Sequence, residues 1–405
     1  MNNKKNQKEP VPQGFLFAAD EGGLRTHGSG PDVALIYSVV PARVAALFTI
    51  NRVKAAPVLV SQDHLKSSHR VAQAIVVNAG NANCATGEHG IRAARQCAAE
   101  AARLLGVRPG RILLASTGVI GVPLDARCIT KLLPALVRRL HPEGYEAVSR
   151  AILTTDTLPK VAARSLSLSG RRITILGMAK GAGMIYPRMA TMLGFFFTDA
   201  AVVPLFLRAA TRRMGGVSFN RISVDGDTST NDTVFVLANG MAGNEPIQEI
   251  KSPAGKKFLE ALTEVAQELA IELVKDGEGA QKLAEIRVEG AATEKQADAI
   301  ARAIGLSSLV KTALAGADPN WGRILAAAGN AGVEFDPRRV DIYLNRILVC
   351  KNGASARYDE AAAQRQLRAK EVLIRLVLRQ GRAQARFWTC DFTEEYIRIN
   401  ASYRT

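Results

Sequence analysis

The stretch Lys180-Gly-Ala-Gly-Met-Ile-Tyr-Pro-Arg-Met-Ala-Thr-Met-Leu-Gly194 runs from a glycine-rich turn into the apolar segment Leu193 to Thr198, with Thr191 at the junction. A short apolar run bounded by turn residues reads as a buried β-strand. Thr191 then has two readings. In the plain one it starts the strand, as β-branched residues commonly do. In the other it is a nucleophile that carries its own base, because a free α-amine has a pKa near ~8 and can take the hydroxyl proton. An internal threonine gains that amine only if the chain is cut before it. Ala190 offers a small acyl side, and the Thr191 hydroxyl is placed to attack the preceding carbonyl in an N-to-O acyl shift followed by hydrolysis. Spacing alone favours the plain reading.

Working outward, further strands are expected at Ala74–Asn78, Ile112–Ser116, Ile173–Met178, Thr233–Ala238 and Glu285–Val288. Ile91–Leu105 and Lys256–Val274 read as helices, the second placing Leu259, Leu262, Ala266, Leu269 and Leu273 on one face. Ser252-Pro253 supplies its start signal and Gly277 its stop. Near the end, Val372, Ile374, Leu376 and Leu378 alternate with other residues, and Gln380-Gly381 turns the chain into Ala383, Ala385 and Phe387. That pattern predicts a β-hairpin. The expected class is mixed α and β.

Composition removes several function classes. Of 405 residues, 47 % are apolar and 22 % charged, the balance of a globular chain with room for two or three domains. Uncharged apolar stretches such as Ile112–Leu124 fall short of the ~18 residues that span a bilayer. The first fourteen residues, MNNKKNQKEPVPQG, lack the apolar core of a secretory signal and read as a flexible tail on a cytoplasmic protein. Five scattered cysteines without a C-x-x-C pair suit reduced thiols, and no metal site is expected from the five histidines. The net charge of +16 is spread in short runs without interleaved aromatics, which fits solvated basic faces rather than a nucleic-acid groove.

Known catalytic signatures are missing: there is no G-x-S-x-G, no phosphate-binding G-x-x-x-x-G-K-[ST] and no H-E-x-x-H. What the chain has instead is an excess of polar, glycine-rich turns, among them Asn78-Ala-Gly-Asn-Ala-Asn83, Ser116-Thr-Gly-Val-Ile-Gly121, the Ser223–Asp232 segment and Asp276-Gly-Glu-Gly279. Each alone is ordinary turn chemistry.

Taken together, GMAKGAGMIYPRMATML, NRVKAAPVLVSQDHL, VNAGNAN, STGVIG, TTDT, SVDGDTSTNDT, LVKDGEGAQK, GADPNWGRILAA and the ending CDFTEEYIRINASYRT resemble the glutamate N-acetyltransferase family, also called ornithine acetyltransferase, from about Phe15 to the last residue. The resemblance implies a mixed α/β sandwich akin to amino-terminal-nucleophile enzymes, with a smaller C-terminal α/β lobe. It implies cleavage between Ala190 and Thr191, with the pieces staying together as α2β2. The corresponding division is a tail over 1–14, the first piece from 15 to 190, the start of the second over 191–280 and a terminal lobe over 281–405.

The same resemblance assigns Thr191 as nucleophile, Thr117 and Gly118 as the oxyanion hole, and Thr154, Lys180, Thr191, Glu278, Asn400 and Thr405 as substrate contacts. It implies transfer of acetyl from N2-acetylornithine to glutamate in arginine biosynthesis, without a cofactor, and leaves acetyl-coenzyme A open as a second donor. From the residues themselves, Lys180 suits a substrate carboxylate, and Glu278 an ammonium or a proton transfer. Departures from the family pattern include Arg188, Gln281 and an added stretch from Asp20 to Asp32. Two other readings stand beside this one: a self-processing amidase or aminopeptidase that passes its acyl group to water, and a basic nucleic-acid-binding protein.

Overall fold

The computed structural model describes residues 8–25, 29–186 and 192–402. Eight strands form the first sheet: β1 (Phe15–Asp20), β2 (Val33–Phe48), β3 (Val71–Asn78), β4 (Ile112–Ser116), β5 (Lys160–Leu168), β6 (Arg171–Lys180), β7 (Leu193–Thr198) and β9 (Thr233–Ala238). Their order is β4-β3-β2-β9-β7-β6-β5, with β1 beside the first half of β2. The three expected strands at Ile112, Leu193 and Thr233 match to the residue. The helices extend beyond their expected starts, to Gly87–Leu105 and Pro253–Lys275. Ser252 caps the second, its side chain accepting from Gly255 N at 3.0 Å, and Asp276 closes it one residue before the expected stop.

Strand alternation sorts this sheet into a sandwich. Phe195 and Phe197 of β7 point to the same core as Phe15, Phe17, Ile36, Ile75 and Leu113 from β1 to β4, so the sheet doubles over on itself and its two halves share an interior. The fold-over occurs along β2, whose register against β3 shifts between Tyr37 and Ala42, around Pro41, before the strand continues against β9. On the outer faces, Phe196 and Val234 meet helices Pro204–Val217 and Pro253–Lys275. Leu35, Val76 and Leu114 meet helix Gly87–Leu105 on the other side. The result is two helical layers around two layers of strands, the expected sandwich.

A second sheet holds β8 (Ile222–Ser223), β10 (Leu283–Ala291), β11 (Asp341–Leu344), β12 (Ile347–Lys351), β13 (Ala354–Ser355), β14 (Glu371–Val377) and β15 (Ala383–Cys390), in the order β13-β12-β11-β14-β10-β15-β8. The expected hairpin between 372 and 387 is not one. Strand β10 lies between β14 and β15, parallel to the first and antiparallel to the second. The turn at Gln380-Gly381 wraps the end of β10 instead, both amides donating to Gly290 O at 2.7 and 2.9 Å. Within the expected tail, Glu9 N donates to Tyr145 Oη at 2.9 Å and Gln13 N to Asp199 Oδ2 at 3.0 Å, so residues 9–13 lie along the body. Asp32, at the end of the added stretch, gathers the amides of Gly22, Leu24 and Arg25 at 2.5 to 3.1 Å. Among the described residues, no helix is long and apolar enough to cross a membrane.

Candidate functional site

Leu193, the first residue of β7, is in register with both Lys180 at the end of β6 and Thr233 at the start of β9. Three strand ends therefore meet where the nucleophile was expected. Thr191 itself, with Ala190 and Thr405, lies outside the described residues. All six other expected site residues, Thr117, Gly118, Thr154, Lys180, Glu278 and Asn400, line one cleft of about 230 Å³ at this end of the sandwich.

Each reaches the cleft for a local reason. Thr117 and Gly118 follow β4, and the loop is pinned by Thr117 N to Asn78 O at 3.0 Å and Val119 N to Gly80 O at 3.2 Å. Gly118 has φ +126°, and a Cβ there would stand 2.3 Å from Gly80 C, so both conformation and space demand glycine. Lys180 donates from Nζ to Thr154 Oγ1 at 2.6 Å and Thr117 Oγ1 at 3.3 Å. Glu278 sits buried in the turn after helix Pro253–Lys275, and its carboxylate fills the space that a Cβ on Gly183 would occupy, at 2.4 to 2.6 Å. Helix Glu394–Ser402 presents Tyr396 and Asn400, four residues apart, to the same cleft. Asn400 Nδ2 donates to Glu278 Oε2 at 2.8 Å, orienting the carboxylate.

The structure adds residues that the sequence offers only inside longer motifs. The Asp156 side chain is fully buried, with Lys160 Nζ at 2.9 Å and Lys180 Nζ at 3.4 Å. Burial would raise its pKa, but Lys180 and Lys160, with the hydrogen bonds from Lys160 and Gly181 N, hold it well below the usual carboxylate range. Asp225 grips the chain shortly before the junction at Thr191, accepting from Met184 N at 2.5 Å and Ile185 N at 2.8 Å. Thr228 donates to Tyr186 O at 3.0 Å, and after the junction Thr233 N donates to Met192 O at 2.9 Å. The Ser223–Asp232 loop and the strand it leads into thus hold the chain on both sides of Thr191. Asn231 ties that loop to the Thr117–Gly118 side of the cleft, its Nδ2 donating to Ala82 O at 2.6 Å and Ser116 O at 2.8 Å. Asp225 and Asp232 are both pushed above the usual carboxylate range, chiefly by burial. The available signal for these aspartates was their place in long polar motifs between strands, which ordinary turns share.

A helix-covered α/β sandwich with hydroxyls, a lysine and an oriented carboxylate converging on one strand-end cleft defines an enzyme scaffold rather than a binding module. The chain belongs to the ArgJ family, whose model matches residues 17–405. It is 49 % identical over 396 residues, 98 % of each chain, to the arginine biosynthesis bifunctional protein ArgJ of Symbiobacterium thermophilum. A crystal structure of the protein of that name from Bacillus halodurans is similar at 42 % identity and a TM-score of 0.51, over 53 % of this chain and all of that one. An ornithine acetyltransferase from Mycobacterium tuberculosis, solved with ornithine, is 30 % identical with a TM-score of 0.37, over 44 % of this chain and 93 % of that one.

Proposed function

We propose that this chain is a self-processing ornithine acetyltransferase of arginine biosynthesis, which moves acetyl from N2-acetylornithine to L-glutamate through an acetyl-threonine at Thr191. The observation that carries the reading is the convergence of Thr117, Gly118, Thr154, Lys180, Glu278 and Asn400, five separate segments of sequence, on one cleft beside the start of β7. Family membership over residues 17–405 supports it. Cleavage after Ala190 is supported by the Bacillus halodurans chain, matched in full by 53 % of this one, which is the share that 191–405 makes up.

In the reaction, the Thr191 hydroxyl oxygen attacks the acetyl carbonyl carbon while its proton passes to the free α-amine. Charge collects on the carbonyl oxygen and is met by Thr117 and Gly118. The carbon–nitrogen bond breaks, ornithine leaves with the proton, and acetyl stays on the threonine oxygen. Glutamate then enters, and its amine attacks the same carbon through the same oxyanion. The bond from that carbon to the Thr191 oxygen breaks, and the proton lost by the amine passes through the α-amine back to the threonine oxygen as acetylglutamate leaves. Glu278, held by Asn400, faces the substrate ammonium and the proton traffic. No cofactor enters this cycle; acetyl-coenzyme A as an alternative donor would load the same threonine, and the two pieces would assemble as α2β2.

Purified protein is incubated with acetyl-labelled acetylornithine, with and without glutamate, and mapped by mass spectrometry. Label is expected on a peptide beginning at Thr191 when glutamate is withheld, and on acetylglutamate when it is supplied. An unlabelled Thr191 peptide with intersecting initial-rate plots overturns the covalent route, and release of free acetate in place of acetylglutamate makes the protein a hydrolase.

A further inference from the structure

Among the described residues, three oxygens stand within 3.4 Å of Lys180 Nζ: Thr154 Oγ1 at 2.6 Å, Thr117 Oγ1 at 3.3 Å and Asp156 Oδ2 at 3.4 Å. An ammonium group only donates hydrogen bonds. Both hydroxyl oxygens must therefore accept from Lys180, and each hydroxyl hydrogen is turned away from it. For Thr117, which lines the cleft, that leaves an O–H committed to donating.

Behind the lysine, Asp156 accepts Gly181 N at 2.6 Å and Thr154 N at 3.2 Å, besides its two lysines. One carboxylate thus ties together the loop that carries Thr154 and the residue that follows Lys180. The row continues: Lys160 Nζ reaches Asp276 Oδ2 at 2.5 Å, and Asp276 opens the turn that carries Glu278. Signs alternate along Asp276, Lys160, Asp156 and Lys180, so each charge is flanked by the opposite one in a buried setting where an unpaired charge would be costly.

We propose that Asp156 is a positioning residue of this site: it anchors Lys180, and Lys180 acts through the Thr117 and Thr154 hydroxyls, setting Thr117 as a fixed donor to the oxyanion. The proposal rests on the acetyl-transfer reading for its kinetic arm only. The charged groups around Lys180 are Asp156 with Lys160 behind it, Asp225, Asp227 and Asp232 from the loop ahead of β9, and Glu278 from the turn after helix Pro253–Lys275. Among the described residues, Asp156 is the one within ion-pair distance.

The test compares wild type with Asp156→Asn in the full chain. Peptide mapping at one fixed pH should show Lys180 modified by a small amine-reactive reagent about tenfold faster in the variant, because the carboxylate that holds its ammonium is gone. Turnover should fall about tenfold or more, with the acetylornithine KM changed less than about threefold. In a Thr117→Val background the same substitution should add almost nothing to the loss, because the hydroxyl it orients is gone. An unchanged Lys180 modification rate, or a kcat loss that is undiminished in the Thr117→Val background, overturns the proposal. Should Asp156→Asn not fold, Lys180→Met takes its place in the Thr117→Val comparison: a loss that vanishes there supports the relay, and one that persists overturns it. A wild-type protein without acetyl transfer would fail the functional reading, while the Lys180 modification rate would still decide whether Asp156 anchors the lysine.

Discussion

Among the described residues, Lys180 at 6 % exposure and Lys311 at 4 % are buried to nearly the same degree, as is Lys160 at 4 %, but the first two have opposite kinds of surroundings. Lys180 has a carboxylate behind it, two hydroxyls beside it and an open cleft in front. Lys311, on helix Ser308–Ala315 of the second lobe, donates to Thr389 Oγ1 at 2.9 Å and to Cys390 O, and its cation lies 5.6 Å from the Phe392 ring centroid. Its partners fasten a helix to the end of β15 and lead nowhere else. Burial of a cation therefore does not mark a site. What marks one is a set of partners that can pass the charge on to an open space, and the second lobe has a fastening where the first has a relay.

The largest way to test that division is Thr191→Ala, which is expected to leave the chain in one piece and abolish acetyl transfer, read by denaturing gel and product assay, whereas Thr191→Ser keeps partial activity. Next comes Thr117→Ala, expected to lower kcat by about 10² to 10³ with KM near normal, since the hydroxyl acts on charge present only in the transition state. A raised KM with unaltered kcat would reassign Thr117 to ground-state binding. Asp225→Asn is expected to slow self-cleavage by about 10-fold to 100-fold, from weakened bonds to Met184 N and Ile185 N, followed by mass spectrometry during refolding. Cleavage at the wild-type rate would free Asp225 from that role.

Smaller effects separate the two lysines themselves. Lys311→Met is expected to cost about 1 to 3 kcal/mol through the buried charge-assisted hydrogen bonds to Thr389 and Cys390 that it removes, with kcat unchanged. Thermal melts and steady-state rates check this, and a fall in kcat would erase the contrast between the two lobes. Asp156 gives the acid limb of stability. Its folded pKa lies below the unfolded value of ~3.9, so its contribution is fully present above that value and fades as pH falls through the folded one. Each pH unit of depression is worth ~1.4 kcal/mol. Asp156→Asn should flatten melting-temperature profiles below about pH 4, and an unchanged slope there would mean that other carboxylates dominate.

Much of the sandwich was legible in the sequence because β4, β7 and β9 are short continuous apolar runs with polar turns at both ends, the pattern of strands covered on both faces. Strand β2 was not, because its sixteen residues change partner midway and include Pro41, Arg43 and Ser38, which break any single alternation. The terminal hairpin misled for a different reason. A Gln-Gly turn between two alternating runs looks the same whether the strands pair directly or admit a third between them, and β10 lies some ninety residues upstream. At the site, Lys180 and Glu278 stood out beside glycines, and Asn400 came only from the resemblance. Asp156 was hidden because the lysine that gives it meaning is 24 positions away.

The order of the first sheet has a mechanical consequence. Strands β7 and β9 follow residue 190 and lie side by side between β2 and β6, which precede it. A chain opened before Thr191 would thus be dovetailed, with two strands of one piece slotted into the other and hydrogen-bonded along both flanks. Pulling the pieces apart would mean unzipping the centre of the sheet and wetting the phenylalanines of its interior, so such a nicked protein would come apart only by unfolding.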